Sequence, residues 1–149
     1  MKLTRASSYA LHAVAYMAQQ KAEKPVASHN IAEQRDIPER FLLKVLKPLV
    51  SARVLRSVKG PNGGYELARA PSDISMLEII EAVDGPIRGL VPIGERRKNP
   101  AAEKANAALN GKLETICTNS ADVLRKHLEK VRISDLIAGK DEKPARRRS

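Results

Sequence analysis

The chain has 149 residues, enough for one domain of ordinary size or a small domain with an appendage. It is 42% hydrophobic but holds one Phe, three Tyr and no Trp, so its core must be aliphatic. A net charge of +10 favours polyanionic partners, nucleic acid or anionic lipid.

No apolar run reaches the ~18 residues of a membrane span, and MKLTRASSYA lacks the apolar region of a signal peptide. One cysteine makes no internal disulfide and cannot alone build a zinc site. The expectation is a cytoplasmic protein with no membrane partner.

The first predicted helix, SSYALHAVAYMAQQ, puts Ala10, Leu11, Val14, Met17 and Ala18 on one stripe. KAEKPV breaks it. Ser28, a good N-cap, opens a short helix through IAEQ, and the turn RDI leads to Pro38, which suits a helix start. The next helix covers about 38–51, with Phe41, Leu42, Val45, Leu46 and Leu49 as its buried face. Glu39, Arg40, Leu43, Lys44 and Lys47 lie mainly off that face. Pro48 inside it should release the carbonyl of Lys44 and bend the last turn.

VLRSVK and YELAR read as strands joined by GPNGG, a glycine-rich hairpin flanked by Arg56, Lys59 and Arg69. Ser75 to Glu78 form a capping box that opens a helix carrying Leu77, Ile80 and Val83, ended by Asp84-Gly85-Pro86. Residues 87–111, with the charge run ERRK, read as a flexible connection. A short helix at PAAEKANAAL, capped by Asn99, is compatible with it.

From about 112 to 131 a longer helix places Leu113, Ile116, Cys117, Val123, Leu124, Leu128 and Val131 on one side. That side has no partner nearby in sequence. The tail GKDEKPARRRS, within 139–149, is expected to be disordered.

Helix, short helix, turn, helix and hairpin make the winged helix-turn-helix layout. The fold class is therefore mainly α with a small β-hairpin wing, followed by a long helix. The domains are 1–86, a connection 87–111, a helical segment 112–138 and the tail. In this layout the second helix of the pair enters the major groove of double-stranded DNA and its N-terminal residues reach base edges. Arg56 and Lys59 would supply charge beside it, and the bare tip Pro61, Asn62, Gly63 and Gly64 could approach a backbone closely. The competing reading is a structural hairpin with solvated cations, in a winged-helix module that binds a protein instead.

The stretches MKLTRASSYALHAV, IAEQRDIPERFLLKVLKPL, VLRSVKGPNGGYELAR and SDISMLEIIEAVDGPI resemble, in order and spacing, the Rrf2 family of bacterial transcription regulators. The family includes an iron–sulfur cluster regulator, a nitric-oxide-sensing repressor and a repressor of cysteine metabolism. The resemblance is close over residues 1 to about 87 and looser through KLETICTNSADVLRKHLEKVRISDL.

It implies a homodimer paired through the long helix, usually a repressor, with each protomer taking half of a roughly palindromic operator. By position, Ser28, Arg40, Phe41, Leu43 and Lys44 match the family's DNA-facing helices, and Lys59 to Gly64 its wing. Leu43 stands where some members carry an acid, and Pro38 and Arg40 replace small hydroxyl residues.

Cluster-bearing members place three cysteines after the DGPI-like segment, whereas residues 86–112 here contain neither Cys nor His. A cluster needs about four strong ligands, so no cofactor is expected. Cys117 reads either as a small core hydrophobe or as a redox thiol bridging a dimer. His12, His29 and His127 have no metal spacing, and no catalytic motif appears, so the protein is not expected to be an enzyme.

Overall fold

The computed structural model describes residues 1–20, 24–92 and 99–139. The start of the KAEKPV break, the ERRK run and the tail after Gly139 lie outside the described residues, with the expectations placed on them. Contacts divide the chain into two units: Met1–Gly85 together with the chain from Glu129 onward, and Pro86–Leu128.

In the first unit, α1 (Arg5–Gln19) starts at Thr4, whose side chain accepts from the Ser7 amide at 3.0 Å. Its buried side is Ala10, Leu11, Ala13, Val14 and Met17, whose small residues let other helices approach closely. Ser7 is buried as well, and its hydroxyl donates to Asp84 Oδ2, which also accepts from Thr4 Oγ1 at 2.7 Å. A carboxylate at this helix N-terminus opposes the positive end of the helix dipole.

The next pair is α2 (Ser28–Arg35) and α3 (Glu39–Ser51). Asp36 closes α2 in the left-handed conformation at φ 50°, which Asp tolerates better than most residues, and the Ile37 amide returns to the Ala32 carbonyl at 2.9 Å. Ser28 does not cap α2. Ala27 holds the N-cap position without a side-chain bond, and Ser28 Oγ donates instead to Glu39 Oε1 at 3.0 Å.

α3 buries Leu42, Val45, Leu46 and Leu49 and continues through Pro48 to Ser51. Phe41 departs from the predicted buried face: it is 43% exposed, because it lies at the edge of the stripe and not within it. After α3, Arg53 takes φ 59° while the Val54 amide reaches the Leu49 carbonyl at 3.0 Å, a helix ending usually given to glycine.

β1 (Leu55–Val58) and β2 (Gly64–Leu67) pair antiparallel, with Leu55 opposite Leu67, Arg56 opposite Glu66, Ser57 opposite Tyr65 and Val58 opposite Gly64. The Gly63 amide donates to the Gly60 carbonyl at 2.9 Å to close the tip. On its other side β2 meets Val26, which exchanges two 2.8 Å backbone bonds with Tyr65. α4 (Met76–Asp84) has both halves of the expected capping box and ends at Gly85, φ 83°.

Two further helices follow, α5 (Pro100–Lys130) and α6 (Ile133–Ile137). The chain around Arg132 pairs with Ser75: Met76 donates to the Val131 carbonyl at 2.8 Å and Ile133 donates to the Ile74 carbonyl at 3.0 Å. Ile133 is fully buried in the main core, and α6 packs against α1.

In the second unit, α5 begins at Pro100, not near residue 112, and runs unbroken through Gly111. Residues 100–111 are therefore helix and not flexible connection. Asn99 caps it as expected, accepting from Ala101 at 3.1 Å and Ala102 at 3.4 Å. Five alanines between 101 and 108 carry the highest helix propensity and outweigh the ~1 kcal/mol cost of one glycine.

The single apolar side predicted for this helix divides. Leu113, Ile116 and Val123 are exposed, joined by Leu109, while Cys117 and Leu124 are half-buried and Ala121 is buried. Gly89 fits against the α5 backbone at Cys117 and Thr118, where a Cβ would collide with the helix. Leu128, expected on the dimer face, is buried within its own chain and offers no surface to a partner. Val131 is half-buried, its carbonyl already engaged by Met76.

Candidate nucleic-acid interface

The buried side of α3 fixes what its other side presents. Glu39, Arg40, Phe41, Leu43, Lys44 and Lys47 are all exposed. Arg40 and Lys44 lie over the Phe41 ring, 5.4 Å and 5.6 Å from its centroid. Such contacts are worth about 0.5–1 kcal/mol at exposed sites and hold the two cations on the outer face. Among the described residues neither they, nor Lys47, nor Lys59 forms an ion pair. Their charge is available to a partner.

Ser28 and Glu39, both expected to face DNA, bond to each other and so tie the start of α2 to the start of α3.

On the wing, Lys59, Pro61 and Asn62 are exposed. Arg56 lies opposite Glu66 and pairs with it at 3.3 Å, so its charge is partly answered within the hairpin. The glycines have an internal reason as well. A Cβ on Gly63 would run into the carbonyls of Val58 and Gly60, and one on Gly64, at φ 154°, into the Val26 carbonyl. The tip is bare because the wing folds back on itself there.

Arg69 has a different role from its neighbours. Its guanidinium donates to both Glu78 oxygens, at 2.6 Å and 3.4 Å, to the Asp73 carbonyl at 2.9 Å and to the Arg53 carbonyl at 3.3 Å. One side chain thus joins the end of α3, the base of the wing, the turn before α4 and the α4 cap. Partial burial would raise the pKa of Glu78, but the Arg69 hydrogen bonds, the Ser75 amide and the Arg69 charge outweigh it and hold the carboxyl below its ordinary value. The sequence marked Arg69 only as a flanking cation; its distance of nine residues from a capping-box Glu was the available signal.

This arrangement of helix pair, hairpin and long helix is shared with known proteins. A family model described as an iron-dependent transcriptional regulator, Rrf2, matches residues 3–139. The chain belongs to the Rrf2 family.

Among curated Rrf2-like relatives, Rv1287 of Mycobacterium tuberculosis, which bears the name of an HTH-type transcriptional regulator, is 33% identical over 94 residues, 63% of this chain and 58% of that protein. The match thus spans less than two thirds of that relative's length. The solved structure of CymR, the global cysteine regulator of B. subtilis, superposes with a TM-score of 0.68 at 25% identity, covering 92% of this chain and 96% of that one. The structure of IscR from T. potens gives 0.62 at 25% identity, over 98% and 91%. The shared architecture establishes a winged helix with a long C-terminal helix.

The family's iron chemistry does not fit this donor set. Each chain has one cysteine, Cys117, half-buried on α5 where Gly89 packs against its backbone. Among the described residues no group of three or more His, Cys, Asp and Glu could hold a metal ion. A cluster held by about four thiolates or imidazoles cannot be assembled from them. Nor is any helix among the described residues long and apolar enough to cross a membrane.

Proposed function

We propose that the protein is a cytoplasmic, homodimeric, DNA-binding transcription regulator, acting as a repressor on a roughly palindromic operator. The observation that carries the reading is the outer face of α3. Arg40, Lys44 and Lys47 are exposed and, among the described residues, without ion pairs, on a helix whose opposite side is locked into the core. Lys59 on the adjoining wing adds a further exposed cation. A basic recognition helix needs no other partner than a phosphate-lined groove to balance that charge. The regulator names carried by its relatives agree with this.

Dimerisation would cover Leu109, Leu113, Ile116 and Val123. Their spacings of four, three and seven residues form a seam suited to a second helix. The test begins with selection of bound fragments from genomic DNA, followed by titrations at several salt concentrations. Lys59→Ala should weaken binding to all sequences and lower the slope of log K against log salt by about 0.9. Arg40→Ala should cost roughly 1–3 kcal/mol at one base position and relax specificity there. Selection of no fragment above a scrambled background would leave the protein-interaction reading. Sedimentation gives the second arm: Ile116→Asp should be monomeric at micromolar concentration where the parent is dimeric.

A further inference from the structure

We infer that Phe41 and Leu43 make the protein a reader of thymine methyl groups, so that its operator is specified in part by apolar contact. The inference deepens the DNA-binding reading and rests on it. An α-helix turns by about 100° per residue, so Arg40, Lys44, Lys47 and Ser51 form the middle of the exposed arc of α3. Leu43 borders that arc on one side and Phe41 on the other.

Both are 43% exposed, within the first turn and a half of a helix whose early residues reach base edges. Neither carries a hydrogen-bonding group, so neither can read a donor or an acceptor. Each can exclude water from an apolar group, and the only one that B-DNA presents in its major groove is the C5-methyl of thymine. The surrounding cations bring the helix to that groove and exclude an apolar protein as the natural occupant: Arg40 and Lys44 sit directly over the Phe41 ring. An incoming apolar surface would have to desolvate both.

The probe is the selected operator duplex with single thymines replaced by uracil, which removes the methyl and leaves every hydrogen bond in place. Uracil at one or more half-site positions should weaken binding about fourfold per methyl, the equivalent of one buried methylene. In Phe41→Ala or Leu43→Ala the thymine-to-uracil difference at the matching position should vanish, while the melting temperature, insensitive to an exposed side chain, stays that of the parent. An operator whose uracil forms all bind like the thymine form overturns the inference and leaves DNA binding standing. So does a variant that loses affinity equally on both duplexes. Failure to select any operator removes the DNA-binding reading itself.

Discussion

α3 and α5 solve opposite problems. The 13 residues of α3 bury four large side chains in their own core, whereas the 31 residues of α5 bury only Ala121 and Leu128. What α3 exposes is therefore surplus to folding, and its cations and two apolar borders are free to act on a ligand. What α5 exposes is an apolar seam of at least four residues, which the proposed dimer would cover. The same kind of residue carries different meanings in the two helices: Leu43 outside a complete core suggests recognition, Leu113 outside an incomplete one suggests assembly.

The strongest way to sharpen this contrast is to empty each helix in turn. Leu46→Ala in α3 should cost about 2–5 kcal/mol, read from urea unfolding, because a fully buried leucine leaves a cavity. Ile116→Ala in α5 should leave dilute-protein stability within about 0.5 kcal/mol but abolish the rise of melting temperature with concentration. Equal losses at low concentration would erase the distinction.

Gly64→Val, at the meeting of β2 and Val26, should cost about 1–3 kcal/mol and release the wing from Val26 while α3 keeps its core. Amide exchange at Tyr65 reports it.

Arg69→Met comes next, at about 1–2 kcal/mol after allowing for the partial exposure of the pair. Its pH signature is specific. Glu78 is held below its ordinary pKa when folded, so its contribution is fully present above about pH 4.3, the unfolded value, and fades as the pH falls through the folded value. The variant should lose that acid limb in a pH series of melting temperatures. A parent and variant that differ equally at all pH values would assign the loss to packing alone.

The smallest effect belongs to Arg53→Gly, expected within about 0.5 kcal/mol of the parent. Relief of left-handed strain, about 1 kcal/mol, is offset by the larger unfolded-state entropy of glycine. A loss above that would show that the Arg53 side chain itself supports the α3 ending.

The winged helix was legible because its signals are local. The capping box at Ser75, the alternation around GPNGG and the Leu42-to-Leu49 stripe each carry their own geometry. Failures occurred where a distant partner decided. Ser28 fits an N-cap by composition, but Glu39 offers its hydroxyl a stronger acceptor. Phe41 shares the period of the stripe yet sits at its border, where periodicity cannot separate inside from outside. The first turns of α5 have alanines in place of an apolar rhythm, so propensity alone announced them. For the candidate site, the cations of α3 were legible from spacing, while the Arg69 latch joins segments whose approach only the tertiary fold creates.

The pairing of residues 131–133 with 74–76 also has a temporal meaning. A polypeptide emerging from the ribosome completes α1 to α4 long before it makes Ile133, and until then the place that side chain fills between α1 and the turn at Ile74 stays open. The first unit is thus finished only by the segment that carries Ile133, and a product cut short near residue 86 would lack a piece of its own interior. Because the closing residues come directly after α5, the helix pair and the wing gain that last piece of interior only once the long helix has been made.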